Sequence, residues 1–235
     1  MHADDDLINA QGGYSPPKIE IKPVFIFPPK PVLLFKWLFN FPNGFLWPWA
    51  TIHILIAFLS YLYFSPTIQE NQNFSLNSFF KILFRNFFIL FVYTGLWHLW
   101  LYSLSSQKNE FRHNIRPLEK GKKWLFGSQT KENMFYSLIS AVPIWSAYES
   151  LMWWCFAKGY VLFPMNDFLS NPIYFFLILI IVPLWQHFHF YISHRLTHWK
   201  PLYKWVHYLH HKNINPGPWS GLSMHPIEHI IYLSN

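Results

Sequence analysis

Four long apolar stretches limit the folds open to this chain. They run over 45–64, 83–104, 134–157 and 172–193, and none carries Lys or Arg in its interior, with Arg85 near one end of the second. A bilayer core needs about 20 such residues in a helix. Buried helices of a large soluble fold would show polar faces, which these runs lack. The expected fold class is therefore an all-α integral membrane protein, with four transmembrane helices in two hairpins. Charged residues make up only 12% of the 235, against roughly a quarter in an ordinary globular domain. Aromatics reach 22%. Trp and Tyr gather near the ends of the runs, in FLWPWA, WHLWLY and MWWC, where interfacial anchors belong.

The basic residues set the expected topology. Lys18, Lys22, Lys30 and Lys36 precede the first span, and only Lys81 lies in the connection to the second. Lys108, Arg112, Arg116, Lys120, Lys122, Lys123 and Lys131 fill the next connection, Lys158 the one after, and Arg195, Lys200, Lys204 and Lys212 come after the fourth span. Basic-rich and basic-poor segments alternate, which places the N-terminus and the segment after span four on the cytosolic (or matrix) side. Connections 65–81 and 158–171 then share the opposite side. The alternation also accounts for the net charge of +7, so no nucleic-acid partner is expected. Residues 1–44 read as a Pro-rich extended tail, and 45–235 as the membrane domain. MHADDDLINA has neither a secretory nor a transit pattern. A single Cys155 excludes an internal disulfide framework.

Nine of the thirteen histidines lie between His187 and His229. At about 100° per residue, His187, His194 and His198 form one column on a helix, whereas His189 faces elsewhere. His207 pairs with His210 and His211 at spacings of three and four, again one face. In SMHPIEH, Pro226 suits a first helical turn, with His225 at the cap and His229 a turn inside. Three helical pieces presenting His187, His194, His198, His207, His210, His211, His225 and His229 make a polynuclear transition-metal site. Imidazole suits iron, zinc, copper or nickel. No Cys lies near, which disfavours a structural zinc module. The HExxH order of zinc proteases is missing, because Glu228 directly precedes His229. The Glu-x-x-His pairs of carboxylate di-iron bundles are missing too. His53, His98 and His189 read as packing residues, and His113 as solvated. A pH-sensing cluster would not need the repeated spacings. Glu149 lies deep in the third span, where an ionisable group is a functional candidate by default. It is read either as a partner for a substrate hydroxyl or as a structural partner of His98.

The stretch HFHFYISHRLTHWKPLYKWVHYLHHKNINPGPWSGLSMHPIEH, His187 to His229, resembles the fatty acid hydroxylase and sterol desaturase superfamily of membrane proteins. HRLTH, HYLHH, a Pro/Gly turn and HPIEH occur there in order. The resemblance implies an O₂-dependent oxidase that hydroxylates or desaturates a sterol or fatty acyl lipid at a histidine-ligated di-iron centre. It implies a membrane lipid as substrate and a cytochrome b5-like electron donor. The ligands it implies are His194, His198, His207, His210, His211, His225 and His229, with His187 standing where many relatives have Asp. The endoplasmic reticulum is the implied location, with the mitochondrial inner membrane as the alternative. The superfamily pattern continues through another hairpin to a third H-x-x-H-H box, and HIIYLSN reads as the start of a fifth span. A longer chain carrying that box is expected to be an oxidase with two iron ions. A chain without it is expected to hold a single metal or none, and to serve as a structural subunit of a larger membrane complex. A zinc-dependent membrane hydrolase is a third reading of the same histidines.

Overall fold

The computed structural model describes residues 21–108, 112–161 and 171–234. Residues 1–20 of the tail and 162–170 of the last connection lie outside the described residues. The described residues are helical, with two isolated bridges (Gly44 to Pro48, Lys120 to Ser128) as the only β pairing among them.

The chain divides into two compact units, Met1–Ser65 with Gln107–Ile115, and Pro66–Ser106 with Arg116–Asn235. In the first unit, α1 (Pro31–Phe39) and α2 (Trp49–Phe64) flank a tight loop. The α1 segment was expected to be extended but is helical. Pro31 at the first helical position needs no N–H partner, and VLLFKWLF holds strong helix formers. The loop folds back so that Phe45 stacks on Trp37 at 4.8 Å and its N–H reaches the Trp37 carbonyl. Gly44 is required there, since a Cβ would stand 2.3 Å from the Trp47 carbonyl oxygen.

In the second unit, α3 (Leu76–His98) runs on through a π-helical turn, Leu99–Ser103. Ser75 caps its start by accepting from the Ser78 N–H. α4 (Gln129–Phe135), a π turn over Tyr136–Ala141 and α5 (Val142–Ala157) form one continuous helical run. The turn widens just before Pro143, whose ring cannot donate to the carbonyl one turn back. α6 (Pro172–Thr197) leads into α7 (Lys200–Leu202), a π turn at Tyr203–His207, α8 (Tyr208–His211) and α9 (Pro226–Tyr232). Among the described residues, two helices are long and apolar enough to cross a membrane, Leu76–Ser103 and Pro172–Thr197. At 1.5 Å per residue the second is about 39 Å long, more than a hydrocarbon core of about 30 Å. α2 is apolar but has 16 residues.

The apolar core joins Leu138, Val142 and Trp219, with Leu83, Phe87, Leu90 and Met134 packed around them. Beside it a polar seam ties α3 to α5. Arg85 Nη2 donates to Glu149 Oε2, and Asn86 Nδ2 donates to Ser146 Oγ (3.2 Å) and to Glu149 Oε2 (3.0 Å). Trp153 Nε1 donates to Glu149 Oε1 at 3.4 Å. Glu149 therefore pairs with Arg85 and not with His98. His98 lies thirteen residues, about 20 Å, further along α3 and stacks on Tyr102 at 5.4 Å. Both Glu149 oxygens are engaged within the seam.

Removing one partner of a largely buried ion pair strands the other charge, at a cost of about 3–5 kcal/mol. Arg85→Leu is expected to lower the thermal midpoint of the detergent-purified protein markedly, and Arg85→Leu with Glu149→Leu to recover most of the loss. Scanning fluorimetry on the two variants checks this; equal midpoints would contradict it.

Candidate metal centre

The end of α6 carries His194 and His198 one turn apart, and their Nε2 atoms stand 3.1 Å from each other. Thr197 Oγ1 donates to the His194 carbonyl at 2.8 Å and helps close the helix. The chain then turns at Trp199 and re-enters a helix through Pro201. The π turn at 203–207 brings His207 and His211 opposite the first pair, with Nε2 atoms 2.9 Å apart. One ligand nitrogen from each of His194, His198, His207 and His211 lies within 4.8 Å of all the others. Ligands bound cis at about 2.1 Å on one ion stand about 3.0 Å apart, so both pairs have the spacing of neighbouring ligands on a single ion. Tyr203 stacks on His198 at 5.6 Å and Phe190 on His194 at 5.5 Å, which walls two of the imidazoles with aromatic rings.

The second pair is fixed from α4. Lys212, next to His211, donates to Glu132 Oε1 at 2.6 Å and lies over the Trp124 ring. Glu132 Oε2 accepts from the Leu125 N–H. Gln129 Nε2 donates to the Asn215 carbonyl at 2.7 Å, and Asn133 Nδ2 to Asn213 Oδ1 at 2.8 Å. Asn215 Nδ2 in turn donates to the Arg116 carbonyl at 2.7 Å. None of these anchors came from the histidine spacings. The signal available in sequence was the cluster of Gln, Lys, Glu and Asn opening an otherwise apolar run.

His207 is fully buried, with Nδ1 2.6 Å from Glu228 Oε1. Burial, reinforced by the neighbouring histidines, pushes its pKa down to about 3. Burial lowers His210 and His211 as well, and raises Glu228 to about 7. Burial thus disfavours charge on both partners, and His207 stays neutral, the form that binds a metal.

The remaining sequence candidates are placed differently. His187 is exposed on α6, outside the quartet. His189 Nε2 lies 3.1 Å from Ser234 Oγ. His210 is 5.7 Å from His207 between ring centres but faces a cleft of about 350 Å³, counting its open mouth, which it lines with Phe190, His194, Met224, Glu228 and Tyr232. His225 Nδ1 accepts the Ile227 N–H at 3.2 Å and caps α9. Both ring nitrogens of His229 are engaged, Nδ1 with Ser140 Oγ at 2.9 Å and Nε2 with the Leu222 carbonyl at 3.0 Å. Two histidines from each of the first two expected groups converge, and those of the third lie on α9 outside the quartet.

The buried histidines set the acid sensitivity of the metal-free protein. Unfolded histidines take up protons near pH 6.5, whereas folded His207 and His229 wait until about 3 and about 4, so their contribution is complete above 6.5 and lost as pH falls. Glu228, raised to about 7, acts in the opposite sense between about 4.5 and 7. Burial lowers His210 and His211 in the same sense, so the histidines outweigh the one carboxyl and stability falls between pH 6 and 5. Thermal unfolding in chelator-treated detergent samples should show the midpoint falling over this range; a flat profile would contradict it.

Comparison with known proteins places these features. Residues 177–234 match the family model described as fatty acid hydroxylase. Over 38 residues the chain is 47% identical to a Delta(7)-sterol 5(6)-desaturase of Gibberella zeae, a stretch that is 16% of this chain and 12% of that protein. No solved structure matches the chain. The matched segment takes in most of α6, all four converging histidines and α9, so it is the histidine-bearing C-terminal part of this chain that carries the fatty acid hydroxylase family signature.

Proposed function

We propose that this chain bears the metal centre of an O₂-dependent lipid C–H oxidase seated at the cytosolic edge of a membrane. The observation that carries the reading is the convergence of His194, His198, His207 and His211 at the end of a 26-residue apolar helix. These four would hold one ion, and a second iron, which the resemblance implies, would draw on His210 and further ligands. Iron held there supplies the activation of O₂ needed to remove hydrogen from a saturated carbon. The protein's part is to present a lipid to that ion and keep water away. α6 is exposed along its apolar length, so a lipid in the bilayer has a continuous path toward His194. Phe190, Met224, Ile231 and Tyr232 give the adjoining cleft apolar walls on which an acyl chain or sterol ring can lie. Electrons would arrive from a cytochrome b5-like donor on the basic side, near Lys200 and Lys204. Four spans, with the histidines and the 108–131 connection on one face, are the topology we assign, and the endoplasmic reticulum is the location.

A structural-subunit reading has one observation in its favour. Both ring nitrogens of His229 are engaged in hydrogen bonds, and the converging set is four imidazoles, enough for a single ion.

Two measurements test the reading. The chain purified in mild detergent from iron-supplemented cells should carry iron, and His194→Ala or His207→Ala should reduce it at least about tenfold, since each removes a ligand. Lipid oxidation by the same preparation should need O₂ and a reduced donor. Bound iron with no turnover on sterols or acyl lipids favours the subunit reading, zinc with O₂-independent hydrolysis the hydrolase reading, and absence of metal removes all metal-based readings. For topology, single cysteines placed at Lys120 and Lys204 are expected to label from the same face. Labelling from opposite faces would contradict it.

A further inference from the structure

His207 is the one member of the quartet that is fully buried, and it is held from two sides. Its Nε2 points at His211 Nε2, 2.9 Å away, inside the group of four. Its Nδ1 points out of the group at Glu228 Oε1, 2.6 Å away. A neutral imidazole has one N–H, so the atom that carries it decides which nitrogen is left as a ligand. When Nδ1–H is donated to Glu228 Oε1, the Nε2 lone pair is left for the ion.

Glu228 is built to hold that place. Pro226 opens α9, and Glu228 sits in its first turn. α9 is docked from the α4–α5 run, through Ser140 to His229 and through Tyr148 Oη to the Ile230 carbonyl at 3.0 Å. The carboxylate is thus carried by an element other than the two that bring the quartet together. Its second oxygen, Oε2, is buried without a hydrogen-bond partner. A buried carboxylate oxygen left unpaired is costly, and such exceptions call for a reason beyond packing.

We propose that Glu228 is the positioning residue of the metal centre: by accepting the Nδ1–H of His207 it fixes the tautomer and ring orientation that turn Nε2 toward His194, His198 and His211. This rests on the reading of the four histidines as a metal site, and deepens it by assigning an orienting partner to one ligand. It also gives the Glu of HPIEH a task that the spacing of the histidines leaves open.

The test is a cobalt(II) titration of the full chain, purified in detergent and stripped of metal, monitored through the visible d–d bands. Glu228→Gln keeps the shape and an acceptor oxygen but removes the charge, and Glu228→Ala removes both. Loss of such an orienting partner weakens metal binding by about 10- to 100-fold. Glu228→Ala is expected within that range, and Glu228→Gln at its weaker end, each with altered d–d bands. Ser140→Ala, which loosens α9 without touching His207, should leave affinity and bands close to the parent's. Should Glu228→Ala fail to fold, Glu228→Gln alone decides. Parent-like affinity and bands in Glu228→Gln overturn the proposal even if its thermal midpoint falls, because a merely structural role moves stability alone. Failure of the unmutated chain to bind cobalt overturns the metal-site reading, and this proposal with it.

Discussion

The ion pair and amide contacts that α4 makes with residues 212–215 hold the site together. Glu132, Gln129 and Asn133 are buried polar groups, and each would cost about 1–3 kcal/mol if its partner were missing. Glu132 Oε1, Gln129 Nε2 and Asn133 Nδ2 meet their partners when Lys212, Asn213 and Asn215 occupy one register. That register fixes the helix end bearing His207 and His211. α6, by contrast, gains almost no support along its length, because its apolar face lies open. The centre therefore forms where a helix supported at one end meets a loop tied down by hydrogen bonds.

This division explains what the sequence reveals of the molecule. Helical repeats of three and four residues place His194 with His198 and His207 with His211, because both residues of each pair lie one turn apart on one continuous helical stretch. The meeting of the two pairs depends on the turn at Trp199–Pro201 and on anchors some eighty residues upstream, which local periodicity does not encode. The same limit applies to His225 and His229. Their spacing suits ligands equally well, but Ser140 and the Leu222 carbonyl, distant in sequence, take the nitrogens of His229. Glu149 shows the point in a different place. Its burial was legible from the surrounding apolar residues, but the choice of Arg85 over His98 required knowing how α3 lies against α5.

The two compact units also differ from a simple division into tail and membrane domain. Hydropathy groups residues by solvent preference, which separates residues 1–44 from residues 45–235. Packing groups α1 with α2 instead, through the backbone loop around Gly44 and the Trp37–Phe45 stack. Aromatic residues suited to a bilayer interface serve here as short-range contacts, a use that composition alone does not disclose.

The π turn at Tyr203–His207 makes the length of the connection between the two histidine pairs a matter of phase. Each residue advances a helix by about 100°, so one residue more or fewer between Trp199 and Val206 would swing His207 and His211 a quarter-turn off their partners. Side chains in that interval are freer, since Lys204 and Trp205 face outward. Natural variants of this segment should therefore tolerate exchanges of residue type and reject changes of residue number, a rule of spacing imposed by helical geometry.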